Sequence, residues 1–310
     1  MAKNKYKEII KFGGTIDNKT NTVLSIIGAL ILVLVWHFLT ITGDIIPPKI
    51  LTSPLSVFRG FKTLYFEYDL LANVWYSVSL NLFGYLFALS AALPLGFLIG
   101  IYPLPKALFQ KYTDGLRYLP PPAITGIFIL IFGLGFGMKA SFLAFSIFMP
   151  LLPSVIQKVN ELQNPRNDKD YVYLQTIKTL GANSFQKFTK VYFPYVMGKV
   201  WDDIVNLVAV TWTYIVIIEL LNKEGGVGGM IHTLRRQGLV AEYYGVLFTI
   251  VLIGITLDFI LKEAGKLCFP YKYDKISIIR KLLISLGKTL GNIKKFISKS
   301  KIKSLFFVDK

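Results

Sequence analysis

Few side chains in this sequence could carry covalent chemistry. Its 310 residues include two histidines and one cysteine, Cys268, and its carboxylates do not cluster. A metal centre or a nucleophilic active site normally needs several such groups at close spacing. The G-x-x-x-x-G-K-[ST] pattern of a phosphate-binding loop does not occur either, so any ATP hydrolysis would need a separate polypeptide. We therefore predict a chain that is not an enzyme and that binds no metal and no cofactor.

The composition favours a protein embedded in lipid. Hydrophobic residues make up 53% of the chain and aromatic residues 15%. The net charge of +17 would suggest a nucleic-acid partner in a soluble protein. The lysines, however, lie mainly between and after apolar runs, which is typical of orientation in a membrane and of contact with anionic lipid. We therefore expect membrane lipid, and no nucleic acid, as a partner.

Six apolar runs are long enough to cross a bilayer, which takes about 20 residues in a helix. They occupy residues 23–41, 75–101, 118–137, 140–158, 201–221 and 243–265. Only Met138 and Lys139 separate the third run from the fourth, which predicts a tight helical hairpin there. The first run follows a basic leader, but it is long for a signal peptide and no small-residue cleavage site follows it. We interpret it as a retained anchor in an all-α polytopic membrane protein with six transmembrane helices.

Basic residues predict the orientation of these spans. With the N-terminus inside, most of the 35 Lys and Arg residues fall in the inside segments, in agreement with the positive-inside rule. Both termini are therefore expected in the cytoplasm, and the protein in the cell inner (plasma) membrane. The chain then divides into a basic cytoplasmic leader (1–22), a six-span domain (23–270) with a cytoplasmic loop (159–200), and a basic cytoplasmic tail (271–310).

The tail could form an amphipathic helix. Its apolar residues recur at helical spacing between positions 279 and 297, and most of its lysines fall on other faces. This pattern predicts a helix that lies on the anionic inner leaflet. A poorly ordered basic tail is the alternative.

Small residues recur every four positions in the second span, at Gly84, Ala88, Ala92, Gly96 and Gly100. Lipid gives helices no hydrophobic reason to associate, so close backbone packing between small residues supplies the attraction. This stripe predicts a contact with a neighbouring span of the same subunit or, alternatively, with a second subunit.

Residues 173–196 are polar and basic although they lie between two apolar runs. Apolar residues at roughly helical intervals predict two short helices on either side of Gly181. Asn183 or Ser184 could cap the second helix, and Gly181 suggests either a positive φ or the close approach of a partner. Such a unit could dock its apolar face into a partner's groove or lie as a hairpin on the inner leaflet.

This segment resembles the EAA loop of ATP-binding cassette (ABC) importer permeases, whose pattern is E-A-A-x3-G-x9-I-x-L-P. The resemblance implies that it couples to a partner ATPase, and we call residues 173–196 the coupling segment. Gly181 stands at the glycine position, and Val191, Phe193 and Pro194 stand at the I, L and P positions. The first three positions differ from the family pattern and hold Gln175, Thr176 and Ile177.

Four further stretches resemble permeases of the nitrate/sulfonate/taurine/bicarbonate type, in the family's order. They are LTSPLSVFRGF, YSVSLNLFGYLFALSAALPLGFLIG, LRYLPPPAITGIFILIFGLGFGMKA and IIELLNKEGGVGGMI. The resemblance covers about residues 50–265. It implies two permease subunits, here a homodimer, that enclose a path for a small anion such as nitrate, a sulfonate, taurine or bicarbonate.

The resemblance also implies partners and coupling residues. Two cytoplasmic ABC ATPase subunits would use ATP and grip the EAA-type loops, and a periplasmic or lipid-anchored solute-binding protein would deliver the solute. The residues implied in ATPase coupling are Gln175, Thr176, Ile177, Leu180, Gly181, Ala182, Phe185, Phe188, Val191 and Pro194.

Polar residues in the spans are candidates for the substrate path, namely Ser79, Thr125, Thr211, Thr213 and Glu219. Threonine is also ordinary packing in lipid, and Glu219 could instead pair with Arg235 or Arg236. The alternative function is an ion-coupled secondary transporter that acts without an ATPase. It would predict internal repeats and ion-binding carboxylates at mid-membrane, and neither is clear in this sequence.

Overall fold

A computed structural model describes residues 11, 14, 16–41, 46–164, 168–221 and 225–273. Within these ranges the chain forms α-helices and no strand, which confirms the all-α fold class. The predicted tail beyond Tyr273 and most of the predicted leader lie outside the described residues. The helices are α1 (Asn18–Ile41), α2 (Pro54–Phe66), α3 (Leu70–Ile101), α4 (Pro103–Leu116), α5 (Thr125–Phe132), α6 (Phe136–Gln163), α7 (Asp168–Thr179), α8 (Ser184–Leu221), α9 (Val227–Gln237) and α10 (Val240–Cys268).

Five of the described helices are long and apolar enough to cross a membrane, namely α1, α3, α6, α8 and α10. Helices α4 and α5 meet the same test only as a pair, and a bend of 99° separates them. The six predicted spans therefore correspond to five continuous helices and one bent pair.

The prediction of a continuous third span over 118–137 is wrong. A 3₁₀ turn at Pro121–Ile124 precedes the short helix α5, which ends before Gly133. The prolines remove backbone donors and restrict the residues before them, so a regular helix cannot run through this stretch. Gly133 adopts φ +69°, a conformation that favours glycine.

The predicted hairpin at Met138 and Lys139 is also wrong. Both residues lie inside α6, which begins at Phe136, and the chain turns over 133–135 instead. The two apolar runs therefore meet at a glycine-rich turn and not at the polar dipeptide.

The described helices form two compact units. The first comprises Met1–Trp75 and Gly225–Thr249. In this unit the indole of Trp36 donates to the carbonyl of Thr52 (3.0 Å) and stacks on Phe248 at 5.5 Å between ring centroids. Buried side chains such as Leu64 and Leu234 form its core.

The second unit comprises Tyr76–Glu224 and Ile250–Lys310 and is built around the long contact between α6 and α8. The small-residue stripe of α3 packs against α6 here. A Cβ atom at Gly96 would lie 2.6 Å from Cβ of Val155, and one at Gly100 would lie 2.8 Å from Cβ of Val159. The predicted contact with a neighbouring span of the same subunit is therefore confirmed.

Candidate coupling segment and transport path

Helix α7 ends at a turn that requires Gly181. The N–H of Ala182 bonds to the carbonyl of Ile177 (3.3 Å), and the N–H of Gly181 bonds to that of Lys178 (3.0 Å). These two hydrogen bonds form the Schellman motif, whose next-to-last residue takes a left-handed conformation, and Gly181 at that position has φ +66°. No heavy atom of the described chain lies within 4 Å of a Cβ built at Gly181. The glycine is thus required by its positive φ, and the space around it is open.

Helix α8 begins with a capping box. Asn183 Oδ1 accepts a hydrogen bond from the N–H of Gln186 (2.8 Å), and Gln186 Oε1 accepts one from the N–H of Asn183 (3.0 Å). The side chains thereby satisfy two backbone donors that a helix start leaves free. Asn183 is therefore the cap, and the predicted helix–glycine–helix unit is confirmed.

A π-helical turn at Phe188–Tyr192 widens α8 just before Pro194. The N–H of Phe193 bonds to the carbonyl of Phe188, five residues back. A proline has no N–H and its ring clashes with the carbonyl four residues before it, here that of Lys190. The wider turn accommodates the proline, and α8 continues to Leu221 without a break. The predicted fifth span, 201–221, is therefore only the second half of a helix that begins inside the coupling segment.

The predicted coupling residues differ in their exposure. Leu180 and Phe185, on either side of the glycine turn, are 77% and 74% exposed. Phe188 is half-buried, and its ring lies 5.2 Å from that of Phe97 on α3. Thr176 and Gly181 are exposed as well, and a further set is half-buried: Gln175, Ile177, Ala182, Val191 and Pro194. The tip of the segment thus presents two large apolar side chains, while Phe188 fastens its base.

Two predicted path residues are buried in contacts between α3 and α8. Glu219 Oε1 accepts a hydrogen bond from Ser77 Oγ (2.6 Å), and Thr211 Oγ1 accepts one from Asn81 Nδ2 (3.2 Å). All four side chains are buried. Ser79, which was predicted to line the path, instead donates its hydroxyl to the carbonyl of Tyr76 in its own helix. The four-residue spacing of Ser77 and Asn81 was the signal that could have identified them.

Lys139 is a further buried polar residue that sequence reasoning placed in an external turn. Its side chain is 0% exposed, and its ammonium donates to the hydroxyl of Tyr76 (3.3 Å). Tyr76 precedes Ser77, the donor to Glu219, so consecutive residues of α3 hold the two buried charged groups. Charges inside a membrane protein are costly unless polar groups surround them, and these contacts provide such groups.

The remaining two path candidates have different surroundings. Thr125 is buried, and its hydroxyl donates to the carbonyl of Pro122 (2.8 Å), which stabilises the turn before α5. Thr213 is exposed on α8, on the same side as Asn206 and Val210. Only Thr213 among the five candidates therefore lies on an open face.

A polar groove of about 330 Å³ lies between α6 and α8, and we call it the α6–α8 groove. Ser154 donates to the carboxylate of Asp203 across it. Lys158 on its wall pairs with Glu161 at 3.1 Å. The polar lining residues are Arg117, Ser154, Gln157, Lys158, Asp203 and Asn206. Among the described residues, no group of three or more His, Cys, Asp or Glu side chains is placed to hold a metal ion.

Comparison with known proteins decides the family. Residues 92–264 match the family described as "Binding-protein-dependent transport system inner membrane component". The chain belongs to this family. It is an ABC transporter permease with helical membrane spans, and the proteins similar to it include permeases named for nitrate, aliphatic sulfonate and taurine transport.

The alignments with three relatives of this permease each cover most of this chain and most of the relative. A putative ABC transporter permease protein of Methanocaldococcus jannaschii is 26% identical over 86% of this chain and 95% of its own. The taurine transport system permease protein TauC of Escherichia coli is 25% identical over 79% of this chain and 88% of its own. The putative aliphatic sulfonates transport permease protein SsuC of Bacillus subtilis is 21% identical over 74% of this chain and 80% of its own.

The matched range contains the candidate coupling segment and all the described lining residues of the α6–α8 groove, and Lys139 and Glu219 also lie inside it. Members of this family are non-catalytic inner-membrane subunits of importers that work with an ATPase and a solute-binding protein.

Proposed function

We propose that this permease forms the translocation path of an ABC importer for a small anion and couples to a separate ATPase through the coupling segment. The observation that carries this proposal is the exposure of Leu180 and Phe185 beside the rigid turn at Gly181. Large apolar side chains on a capped, polar unit are typical of a docking surface. The termini and the coupling segment would lie in the cytoplasm, where the ATPase consumes ATP.

Helix α8 provides the mechanical link in this proposal. It is a single helix of 38 residues that begins in the coupling segment and ends near Glu219. An ATPase that moves its first turns would displace the whole helix, because a continuous helix transmits motion as a rigid element. The packing of α8 along α6 and its bond to Ser77 would then have to change. Such a shift would switch the permease between inward- and outward-facing states.

The open face of α8 supports the assignment of a path. Asn206 and Thr213 are exposed there, and polar side chains in a span favour water or protein over lipid. Arg117 and Lys158 outnumber Asp203 in the neighbouring α6–α8 groove, although each of the two also pairs with an acidic neighbour, Asp114 and Glu161 respectively. Positive charge in a cleft raises the local concentration of anions. The sulfonate and taurine relatives are named for the solutes that they transport. Together with this charge, their names favour a small anion such as nitrate, a sulfonate, taurine or bicarbonate as the solute.

The assembly that we propose contains two copies of this chain, two ATPase subunits and a solute-binding protein outside the membrane. The open face of α8 would line the path between the two copies.

Transport by the reconstituted assembly tests the proposal. Proteoliposomes that hold the permease with its ATPase and binding protein should take up a labelled anion only when ATP is supplied to the ATPase. An ATPase variant without the lysine of its phosphate loop should abolish uptake. Uptake by the permease alone, driven by an ion gradient, would instead support a secondary transporter.

A further inference from the structure

A pocket of about 420 Å³ lies between the coupling segment and the residues that follow α10. Its floor is apolar and includes Val191 and Pro194. Three lysines and three tyrosines form most of its wall: Lys190, Lys199, Lys272, Tyr173, Tyr195 and Tyr271. This combination of ammonium groups, phenols and an apolar floor differs from the polar α6–α8 groove.

The wall formed by Tyr271 and Lys272 is fixed to α8 by several contacts. The Tyr271 hydroxyl donates to the carbonyl of Pro194 and occupies the space that a side chain at Gly198 would take, 2.7 Å from a Cβ built there. Lys272 Nζ donates to the carbonyl of Gly198 (2.7 Å) and to Asp202 Oδ2 (2.5 Å). Burial raises the pKa of the Tyr271 phenol above its ordinary value.

Three lysines line the pocket, and carboxylates pair with two of them. Asp202 binds Lys272, and Glu161 lies 3.6 Å from Lys199 Nζ. Neither carboxylate belongs to the lining that the structure describes, in which the charged residues are lysines. Lys190 is exposed on the π-helical turn and adds a further charge. An anion in the pocket would meet the ammonium group of Lys190 and would share those of Lys199 and Lys272 with their carboxylates.

The place of the pocket in the fold favours a lipid over a free ion. It lies where α8 leaves the polar coupling segment and enters its apolar stretch, and tyrosines are enriched at this level of membrane proteins. Basic pockets at the ends of membrane helices accept phospholipid headgroups. A free phosphate would use the lysines but would leave the apolar floor uncovered. A glycerophospholipid would cover both.

We propose that this pocket holds the headgroup of an anionic phospholipid such as phosphatidylglycerol, with its glycerol backbone on Val191 and Pro194. The bound lipid would bridge α7, the start of α8 and the residues after α10. It would thereby hold the base of the coupling segment in place, which is a role separate from solute transport.

Lipid retention by the purified protein tests this site. The full-length chain in a neutral detergent is mixed with phosphatidylglycerol or with phosphatidylcholine of the same acyl chains, and native mass spectrometry measures the bound lipid. We expect phosphatidylglycerol to be preferred, and Lys190→Gln to weaken its retention about fivefold while phosphatidylcholine is unaffected. Lys190→Arg should retain the preference. Lys111→Gln, at an exposed lysine of α4 outside the pocket, is the matched control and should change nothing.

Three results would overturn the proposal. The first is equal retention of the two lipids, and the second is an equal effect of the Lys190→Gln and Lys111→Gln variants. The third is displacement of phosphatidylglycerol by millimolar glycerol phosphate or inorganic phosphate, which would identify a site for a free anion. No ATPase is present in this assay, so its outcome does not depend on the coupling proposed above.

Discussion

Ser77 Oγ donates a hydrogen bond of 2.6 Å to Glu219 Oε1, and both side chains are 0% exposed. The bond joins the beginning of α3 to the end of α8. These are the ends of the two helices that lie far from the coupling segment. A buried carboxylate needs donors, because its transfer out of water is otherwise costly. The residue before Ser77 accepts from the buried ammonium of Lys139 on α6, so three spans meet at this point. We expect the contact to stabilise one conformation of the permease.

Removal of the Ser77 hydroxyl should destabilise the protein. We expect Ser77→Ala to cost about 1.5–3 kcal/mol, the range for a hydrogen bond to a charged group, and to lower the melting temperature in detergent. Ser79→Ala is the matched control, because the Ser79 hydroxyl bonds only to a carbonyl of its own helix among the contacts observed. Equal losses for the two variants would contradict a specific role of the Ser77–Glu219 bond.

Replacement of Gly181 should separate docking from folding. Gly181→Asp places a side chain at φ +66° and a charge in the partner's groove, so we predict loss of ATPase co-purification and of transport. Membrane insertion and dimerisation should remain normal.

Gly238 offers a matched control for this variant. It has φ +73° and open space around its Cβ position, but it ends α9 outside the coupling segment. Gly238→Asp should therefore show a similar strain of about 1 kcal/mol and keep its ATPase. If both variants lose the ATPase, backbone strain and not docking explains the effect.

The exposed and half-buried phenylalanines of the coupling segment should behave differently. Phe185→Asp and Leu180→Asp should abolish ATPase binding without lowering the melting temperature, because both side chains are exposed. Phe188→Asp should lower it, because it removes the ring contact with Phe97 and places a charge against α3. Pull-down of the ATPase and differential scanning fluorimetry would distinguish the two classes. A Phe185→Asp protein that binds its ATPase normally would refute this docking surface.

Because α3 and α6 pack closely, we predict that position 96 tolerates no side chain larger than that of glycine. Gly96→Ala brings a methyl group 2.6 Å from Cβ of Val155, and we expect overpacking to cost about 1–3 kcal/mol. Gly254→Ala is the control within another span, since no described atom beyond its own stretch of helix backbone lies within 4 Å of its Cβ position. Thermal denaturation of both variants checks the difference. Equal stability would show that α3 and α6 are further apart in the membrane.

Cysteine labelling tests the orientation proposed for the spans. The variants Lys223→Cys and Lys187→Cys are made on a Cys268→Ser background. A membrane-impermeant reagent added from outside should modify Lys223→Cys and should not modify Lys187→Cys. Lys223 lies outside the described residues, so this prediction rests on the positive-inside rule alone. Labelling at Lys187 from outside would reverse the topology and exclude ATPase docking there.

The sequence by itself determined the local structure of the coupling segment. The turn at Gly181 and the cap at Asn183 could be predicted because their hydrogen bonds join residues at most five positions apart. The apolar runs likewise marked five continuous membrane helices, since hydropathy over about 20 residues is a local property. Hydropathy averaged over about 20 residues did not predict the break within 118–137, where three prolines interrupt the helix.

Tertiary structure alone decided which polar residues meet inside the membrane domain. Ser77 and Glu219 are 142 positions apart, and Lys139 belongs to a third helix. A side chain's partner across two helices depends on the rotation of each helix about its axis, and packing of many small contacts sets that rotation. Thr211 and Thr213 illustrate the result, because two positions along α8 separate a buried acceptor from an exposed side chain. Residue type is the same at both positions, so only the packing of the neighbouring helices distinguishes them.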